Sequence, residues 1–245
     1  MTSALEQAIE AQEEFDFNTT KKILGAWLPT NNVEIKRFDK HQQYTNTDAG
    51  AILFYKGKEH VVEYEIKSRH KKADILARFP YSELSVDKIV RIKRYLEENN
   101  KGANLRYVQI YTNEDKSKVE AIFLFNLDWL KGNISIKNWK QPQNNFEWKH
   151  PNDFDIERFS IDNNSGLPFI EQSNTHNQEK PHFTYMICKK TQYNVESKYI
   201  NELILNIPLK TARMIYLDSS VRSKYEFLLK EKTQNKDNPN FFEAF

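Results

Sequence analysis

The sequence predicts an α/β protein in which a central mixed β-sheet is flanked by helices. Three observations predict it: helical spacing of apolar residues near the N-terminus, three alternating stretches between residues 32 and 68, and an amphipathic helix followed by two more stretches typical of strands. Of the 245 residues, 39% are hydrophobic, and 16 Phe, 12 Tyr and 4 Trp supply much of the apolar volume. A chain of this length can bury a sizeable core.

The N-terminal region predicts two helical segments. Residues 3–15 carry apolar side chains at helical spacing, and Asn18 or Thr19 is suited to cap a second segment that reaches Leu28. Pro29 follows Leu28 directly and is expected to end that segment.

Three strands are predicted next. "NVEIKRF" alternates in polarity, and "DAGAILFYKGKEHVVEYEIKSR" contains two further strands joined by a short turn at Lys56-Gly57-Lys58. The three strands are expected to form an antiparallel meander.

A second helix and two strands complete the predicted core. Ser85 is placed to cap the amphipathic "VDKIVRIKRYLEENN", and Gly102 follows it as a stop signal. "RYVQIYT" and "KVEAIFLF" read as strands. The core is therefore expected to span residues 1–130.

Residues 131–245 form the predicted C-terminal extension. Residues 131–180 are rich in Asn, Gln, Pro and Lys and predict loops held by scattered aromatic residues. After them we predict a strand in "HFTYMICKK", a helix in "VESKYINELIL", a strand in "ARMIYLD" and a helix over Ser219–Lys232. This extension is expected to extend the sheet or to form a substrate-recognition subdomain.

The third strand has one apolar face and one charged face, the latter formed by Glu63, Glu65 and Lys67. Asp48 lies nine residues before Gly57 and Glu65 eight after it, so antiparallel pairing brings the two carboxylates nearly opposite each other. Two carboxylates beside small residues form an oxygen-rich site of the kind that binds Mg²⁺. Beside a bound phosphate, Lys67 is able to activate a water or to offset charge at phosphorus.

A second Glu-Ile-Lys triplet occurs at residues 34–36. No acidic partner like Asp48 accompanies Glu34, so this copy is interpreted as a charge pattern on an exposed strand.

An Asp at the head of one strand and Glu-x-Lys on the next, within the order helix, three strands, helix, strand, resembles the PD-(D/E)xK nuclease superfamily. The resemblance covers about residues 1–130. It implies a restriction-endonuclease-like α-β-β-β-α-β core, followed here by an α+β extension, and hydrolysis of DNA phosphodiesters with Mg²⁺, for which Mn²⁺ would substitute. Asp48 and Glu65 match its metal ligands, Ile66 a ligand through its carbonyl, and Lys67 its catalytic lysine. Thr47 replaces the proline of the motif.

The same resemblance suggests additional site residues. Some members of the superfamily add a glutamate from the first helix, a role that Glu10 or Glu14 would take here. Glu63 is expected either to support the metal site or to lie beyond it.

Basic residues close to the motif are candidates for binding DNA phosphates. Arg69, Lys71 and Lys72 follow the motif directly, and each phosphate contact adds salt-dependent affinity. Lys88 lies near the start of the predicted second helix, where the helix dipole also favours anions.

Composition excludes several other classes. With 36 basic and 34 acidic residues, the net charge gives no strong non-specific attraction to nucleic acid. The one cysteine, Cys188, excludes an intramolecular disulfide and a cysteine-based zinc cluster, and fits a cytoplasmic location. No apolar run approaches the roughly 18–20 residues that a membrane helix needs.

Within the nuclease class, the long extension favours a restriction-type endonuclease, which would act as a homodimer to cut both strands. A junction, repair or transposition-associated nuclease remains an alternative. In a further alternative the protein is an inactive nucleic-acid-binding module in which Glu65 and Lys67 form a salt bridge. A structural protein that docks its C-terminal "NFFEAF" into a partner is a third.

Overall fold

The computed structural model describes residues 4–41, 46–99, 102–128, 182–190 and 198–229. The chain forms two compact units, and each is assembled from separate segments. The first contains residues up to Pro80, Asn99–Asp128 and the chain from Leu209 onwards, and the second contains Tyr81–Glu98 and Trp129–Pro208. A boundary near residue 130 stays a prediction. No helix in the described ranges combines the length and apolar character that a membrane span requires.

The regular elements of the first unit are α1 Ala4–Thr30, β1 Glu34–Lys40, β2 Ala49–Tyr55, β3 Lys58–His70, α2 Ala73–Arg78, β5 Asn104–Thr112, β6 Val119–Asn126 and β9 Arg213–Leu217. Two 3-10 helices lie at Leu209–Thr211 and Ser219–Tyr225. The second unit contains β4 Tyr81–Ser85, most of α3 Val86–Asn99, β7 His182–Lys190 and β8 Lys198–Pro208.

The first unit is built on a six-stranded mixed sheet with the order β1-β2-β3-β5-β6-β9. Strands β3 and β5 are parallel, and the other neighbours are antiparallel. The predicted α/β class with a mixed sheet is therefore confirmed, as is the meander β1–β3. Its second turn has positive φ at both Lys56 (48°) and Gly57 (77°), as a tight hairpin turn requires.

Helix α1 covers one face of this sheet. The apolar side chains of β3 are buried together with Phe17, Leu24 and Leu28 of α1 in one core cluster. Burial of apolar surface is the main stabilising contribution to folding, so α1 and β3 hold each other in place. The apolar face of β3 therefore lies under α1.

The predicted break in the first helix is wrong, because α1 is continuous from Ala4 to Thr30. Instead of capping a new segment, the Asn18 side chain donates to Glu14 Oε1 one turn earlier, at 2.7 Å. Leu24 and Leu28 are fully buried, and this tertiary packing continues the helix past Asn18. Pro29 lies within the last turn.

The helix predicted in "VESKYINELIL" is also wrong, since residues 198–208 form strand β8. Strand β8 pairs with β4 on one side and β7 on the other. Residues 204–207 are all buried, which suits a central strand and not one face of an amphipathic helix. The helix α2 and the strand β4 were not predicted, and Ser85 ends β4 directly before α3.

The remaining predictions have mixed outcomes. The strands at "HFTYMICKK" and "ARMIYLD" are confirmed as β7 and β9. Ser219–Tyr225 is a 3-10 helix and residues 226–229 are helical, whereas residues 230–232 of the predicted helix lie outside the described residues. The predicted loops at 131–180 and the C-terminal "NFFEAF" lie outside the described residues.

Candidate metal and phosphodiester site

The candidate site lies where β3 extends beyond β2. The register pairs Ala49, the first residue of β2, with Tyr64. Strand β3 continues to His70, and from Val62 onwards it pairs with β5 on its other side. Continuing the β2 register by one residue places Asp48 opposite Glu65, as the count from Gly57 predicted.

Asp48 occupies the edge of β3 that β2 leaves open. Its backbone N–H donates to the Tyr64 carbonyl at 2.9 Å, and its Oδ2 accepts the Ile66 N–H at 2.7 Å. The N–H and C=O of one strand residue point to the same side. The Ile66 carbonyl therefore faces the same edge as the Asp48 carboxylate.

Lys67 links the two carboxylates. Its Nζ lies 3.0 Å from Glu65 Oε1 and 3.7 Å from Asp48 Oδ2. The Glu65 side chain is 0% exposed, whereas the Lys67 side chain is 43% exposed. Desolvation opposes the charge on Lys67, but the carboxylates of Glu65 and Asp48 outweigh it and raise the Lys67 pKa above its ordinary value. Lys67 is therefore an ammonium, suited to offset negative charge at a phosphate.

Two buried residues of β5 hold the backbone of the motif. Gln109 Nε2 donates to the carbonyls of Lys67 and Ile110, both at 3.0 Å, and its Oε1 accepts the Tyr107 hydroxyl at 2.7 Å. Tyr107 pairs with Glu65, and Gln109 pairs with Lys67. Sequence analysis missed both residues, although a Gln between the apolar Val108 and Ile110 was a signal that could have identified one of them.

Glu63 contacts the segment that precedes β2. Its side chain is 5% exposed, and its Oε2 accepts the Thr47 hydroxyl at 2.8 Å and lies 2.8 Å from His41 Nε2. The hydrogen bond to Glu63 raises the His41 pKa above its ordinary value, against the opposing effect of burial. Sequence analysis gave His41 no role, and Thr47 entered it only as the replacement for the motif's proline.

Helix α1 reaches β3 through Gln12 and Asp16. Gln12 Nε2 donates to Ser68 Oγ at 2.8 Å and to Asp16 Oδ1 at 2.9 Å. The two glutamates predicted for this role are both exposed, and Glu14 bonds to Lys40 Nζ at 3.1 Å. The helical side chains beside the end of the motif are therefore an amide and an aspartate.

Asp16 provides a pH-dependent prediction. Burial raises the pKa of its carboxyl above the ordinary value, against the hydrogen bonds from Ser68 and Gln12. A carboxyl with a raised folded-state pKa stabilises the fold below its unfolded pKa, and this contribution is lost as the pH rises through the folded pKa. We expect Asp16→Asn to raise Tm by a few degrees at pH 7, with the difference vanishing below about pH 4.

Thermal melts at several pH values check this expectation. Glu13→Gln removes one carboxylate from the exposed side of the same helix and serves as the charge-matched control. A Tm difference for Asp16→Asn that is constant from pH 4 to pH 8 would contradict the assignment.

The predicted phosphate-binding residues fall in both units. Arg69 is the penultimate residue of β3 and is half-buried, and Lys71 and Lys72 lie between β3 and α2. Lys88 lies on α3 in the second unit. Their contacts with DNA stay predictions. His70, the other histidine near the motif, has its Nδ1 3.0 Å from the Thr112 carbonyl.

The donor set at the edge of β3 is suited to a hard cation. Two carboxylates, from Asp48 and Glu65, and the Ile66 carbonyl are all oxygen donors, which Mg²⁺ and Mn²⁺ prefer. In the described part of the chain, no group of three or more His, Cys, Asp or Glu side chains is arranged to hold a metal ion. Two side-chain ligands suffice for Mg²⁺ when water and phosphate oxygens supply the others. The residues therefore fit a Mg²⁺ ion whose remaining ligands come from water and from a bound phosphate.

No family model, curated protein or solved structure matches this chain.

Proposed function

We propose that the protein is a divalent-metal-dependent endonuclease that hydrolyses DNA phosphodiester bonds at the site formed by Asp48, Glu65 and Lys67. The observation that carries the proposal is the convergence of these groups at one strand edge. The Ile66 N–H lies 2.7 Å and the Lys67 ammonium 3.7 Å from the same Asp48 oxygen, and Glu65 lies 3.0 Å from that ammonium.

In the proposed mechanism each residue has a distinct task. Mg²⁺ or Mn²⁺ would be held by Asp48, Glu65 and the Ile66 carbonyl. When bound, the metal would lower the pKa of an attacking water and stabilise the leaving oxygen. Lys67 places a positive charge beside the phosphate, where negative charge increases in the transition state. Gln109 keeps the Lys67 backbone in place through its hydrogen bond to the Lys67 carbonyl. By its resemblance, the enzyme would leave a 5′-phosphate.

The fold supports the proposal in its general order. Along the chain, the order α1, β1–β3, α3, β5 corresponds to the α-β-β-β-α-β order of a restriction-endonuclease-like core, with α2 and β4 inserted between β3 and α3. The parallel pairing of β3 and β5 requires a crossover connection between them.

The subtype we propose is a restriction-type enzyme that works as a cytoplasmic homodimer.

Incubation with supercoiled, linear and branched DNA tests the proposed activity. We expect Mg²⁺ or Mn²⁺ to support nicking or linearisation of supercoiled DNA, and a chelator to abolish it. Branched DNA separates a junction nuclease from a restriction-type enzyme. The absence of cleavage with all three substrates and both metals, or cleavage that persists in chelator, would overturn the proposal.

One observation favours a second function, that of an inactive nucleic-acid-binding module. The Lys67–Glu65 ion pair already neutralises a buried carboxylate, as it would in a purely structural salt bridge. Calorimetric titration with Mg²⁺ or Mn²⁺ separates the two functions. A nuclease shows saturable uptake that depends on Asp48 and Glu65, whereas the structural ion pair shows none.

A further inference from the structure

Glu63 lies two residues before Glu65 on the same strand, and its carboxylate is almost completely buried. It faces Gly50 in the β2–β3 register. A buried carboxylate requires compensating hydrogen bonds. Glu63 receives one from Thr47 and lies at hydrogen-bond distance from His41 Nε2.

Both partners of Glu63 adjoin Asp48. Thr47 is its neighbour in the chain, and the His41 backbone N–H donates to the Asp48 carbonyl at 3.1 Å. Glu63 therefore contacts the residue that precedes Asp48 in the chain and a second residue that is hydrogen-bonded to the Asp48 backbone. A hydrogen bond to Tyr64 holds the Asp48 backbone in addition.

Gly50 leaves space for this arrangement. A Cβ at residue 50 would lie 3.0 Å from both Cε1 and Nε2 of His41. Few Cβ contacts in proteins are this short, so a side chain at residue 50 would force the His41 imidazole to shift by a few tenths of an ångström. The structure thus provides a way to disturb the His41–Glu63 contact without changing either residue.

We propose that Glu63 is a positioning residue: through Thr47 and His41 it sets the Asp48 carboxylate against the Ile66 N–H, and so prepares the metal-binding edge of β3. The effect on cleavage rests on the proposed function. The effect on the Asp48–Ile66 hydrogen bond does not rest on the proposed function, because this bond forms within the folded chain whether or not the protein cleaves DNA.

Amide hydrogen exchange measures that hydrogen bond directly. In Glu63→Ala we expect the Ile66 amide to exchange roughly tenfold faster, because the hydrogen bond that protects it is weakened. Amides of Val108 and Ile110 in the neighbouring strand should keep their exchange rates. In Glu63→Gln, which keeps an acceptor for Thr47, the Ile66 amide should exchange at a rate between those in Glu63→Ala and in the parent. Gly50→Ala should also increase the exchange rate of the Ile66 amide.

Metal binding and cleavage provide the second measurement. We expect Glu63→Ala to bind Mn²⁺ roughly 10-fold to 100-fold more weakly, as for other residues that support metal ligands. We expect its kcat to fall by a similar factor, with an unchanged KM for DNA. Glu59→Gln, an exposed residue earlier on the same strand, is the control.

The outcomes separate the two proposals. If the parent protein neither binds Mn²⁺ nor cuts DNA, but Glu63→Ala speeds exchange at Ile66 alone, then the proposed function fails and the positioning role stands. If Glu63→Ala leaves Ile66 exchange unchanged, or accelerates all amides of the sheet equally, the positioning role is overturned, whatever the activity.

Discussion

Lys67→Met is expected to reduce Mg²⁺-dependent DNA cleavage by roughly 10²- to 10⁴-fold, the range for a group that stabilises charge or transfers protons in the transition state. Asp48→Asn and Glu65→Gln should have effects in the same range, because each removes one of the two carboxylates that face Lys67. Initial rates of nicking of supercoiled DNA measure all three variants.

The second Glu-Ile-Lys triplet offers a matched control. Lys36 lies on β1, where it pairs with Glu34 at 2.6 Å, and its side chain is 49% exposed. Exposed ion pairs of this kind contribute about 0–1 kcal/mol, so Lys36→Met should cut DNA at the parental rate. If the variants of Asp48, Glu65 and Lys67 all retain cleavage, the proposed mechanism is wrong.

Activity lost because the protein is destabilised must be distinguished from activity lost because a catalytic group is missing. Lys67→Met leaves the buried Glu65 carboxylate without its nearest cation, which destabilises the folded state. The double variant Glu65→Gln/Lys67→Met removes both charges and should recover much of the Tm lost in Lys67→Met. It should remain inactive, because recovered stability does not restore the missing groups.

The largest expected effect on stability is that of Asp128→Ala. Arg106 is fully buried, and its Nη1 donates to Asp128 Oδ2 at 2.6 Å and to Asn126 Oδ1 at 3.1 Å. Asp128 Oδ1 also accepts the Leu105 N–H at 2.7 Å. Breaking a buried ion pair from one side costs about 3–5 kcal/mol, which corresponds to a decrease in Tm of roughly 6–20 °C for a chain of this size.

Thermal unfolding followed by circular dichroism measures this decrease. Because Asp128 is partly exposed, the lower half of the range is expected. Glu34→Ala removes an exposed carboxylate from the same sheet and should change stability by no more than about 0.5 kcal/mol. A Tm within 2 °C of the parent for Asp128→Ala, as a rough limit of detection, would show that the Arg106 contacts do not stabilise the junction of β5 and β6.

The convergence of Asp48 with Glu65 was predictable because it depends on local features. A two-residue turn and strict alternation determine the register of a hairpin, and the register determines which residues face each other. The Glu34 copy lacks a facing carboxylate for the same reason. The strands β5 and β6 were predictable from their long apolar runs, although their order in the sheet was not.

The misassigned elements depend on packing against distant residues. The segment that became β8 has a pattern compatible with a helix, but pairing with β4 and β7 on both sides makes it a strand. A continuous α1 likewise depends on the burial of Leu24 and Leu28 against the sheet. Tertiary contacts override weak local propensities in both cases.

The sequence by itself determined the class of the fold, the hairpin and the set of charged side chains on β3, because alternation and turn chemistry act over a few residues. Only the tertiary structure decided which groups support that set. Gln109 reaches Lys67 from a strand 42 residues later, and His41 reaches Glu63 across 22 residues. Such contacts depend on how strands are arranged in space, and a pattern read along one strand does not contain that arrangement.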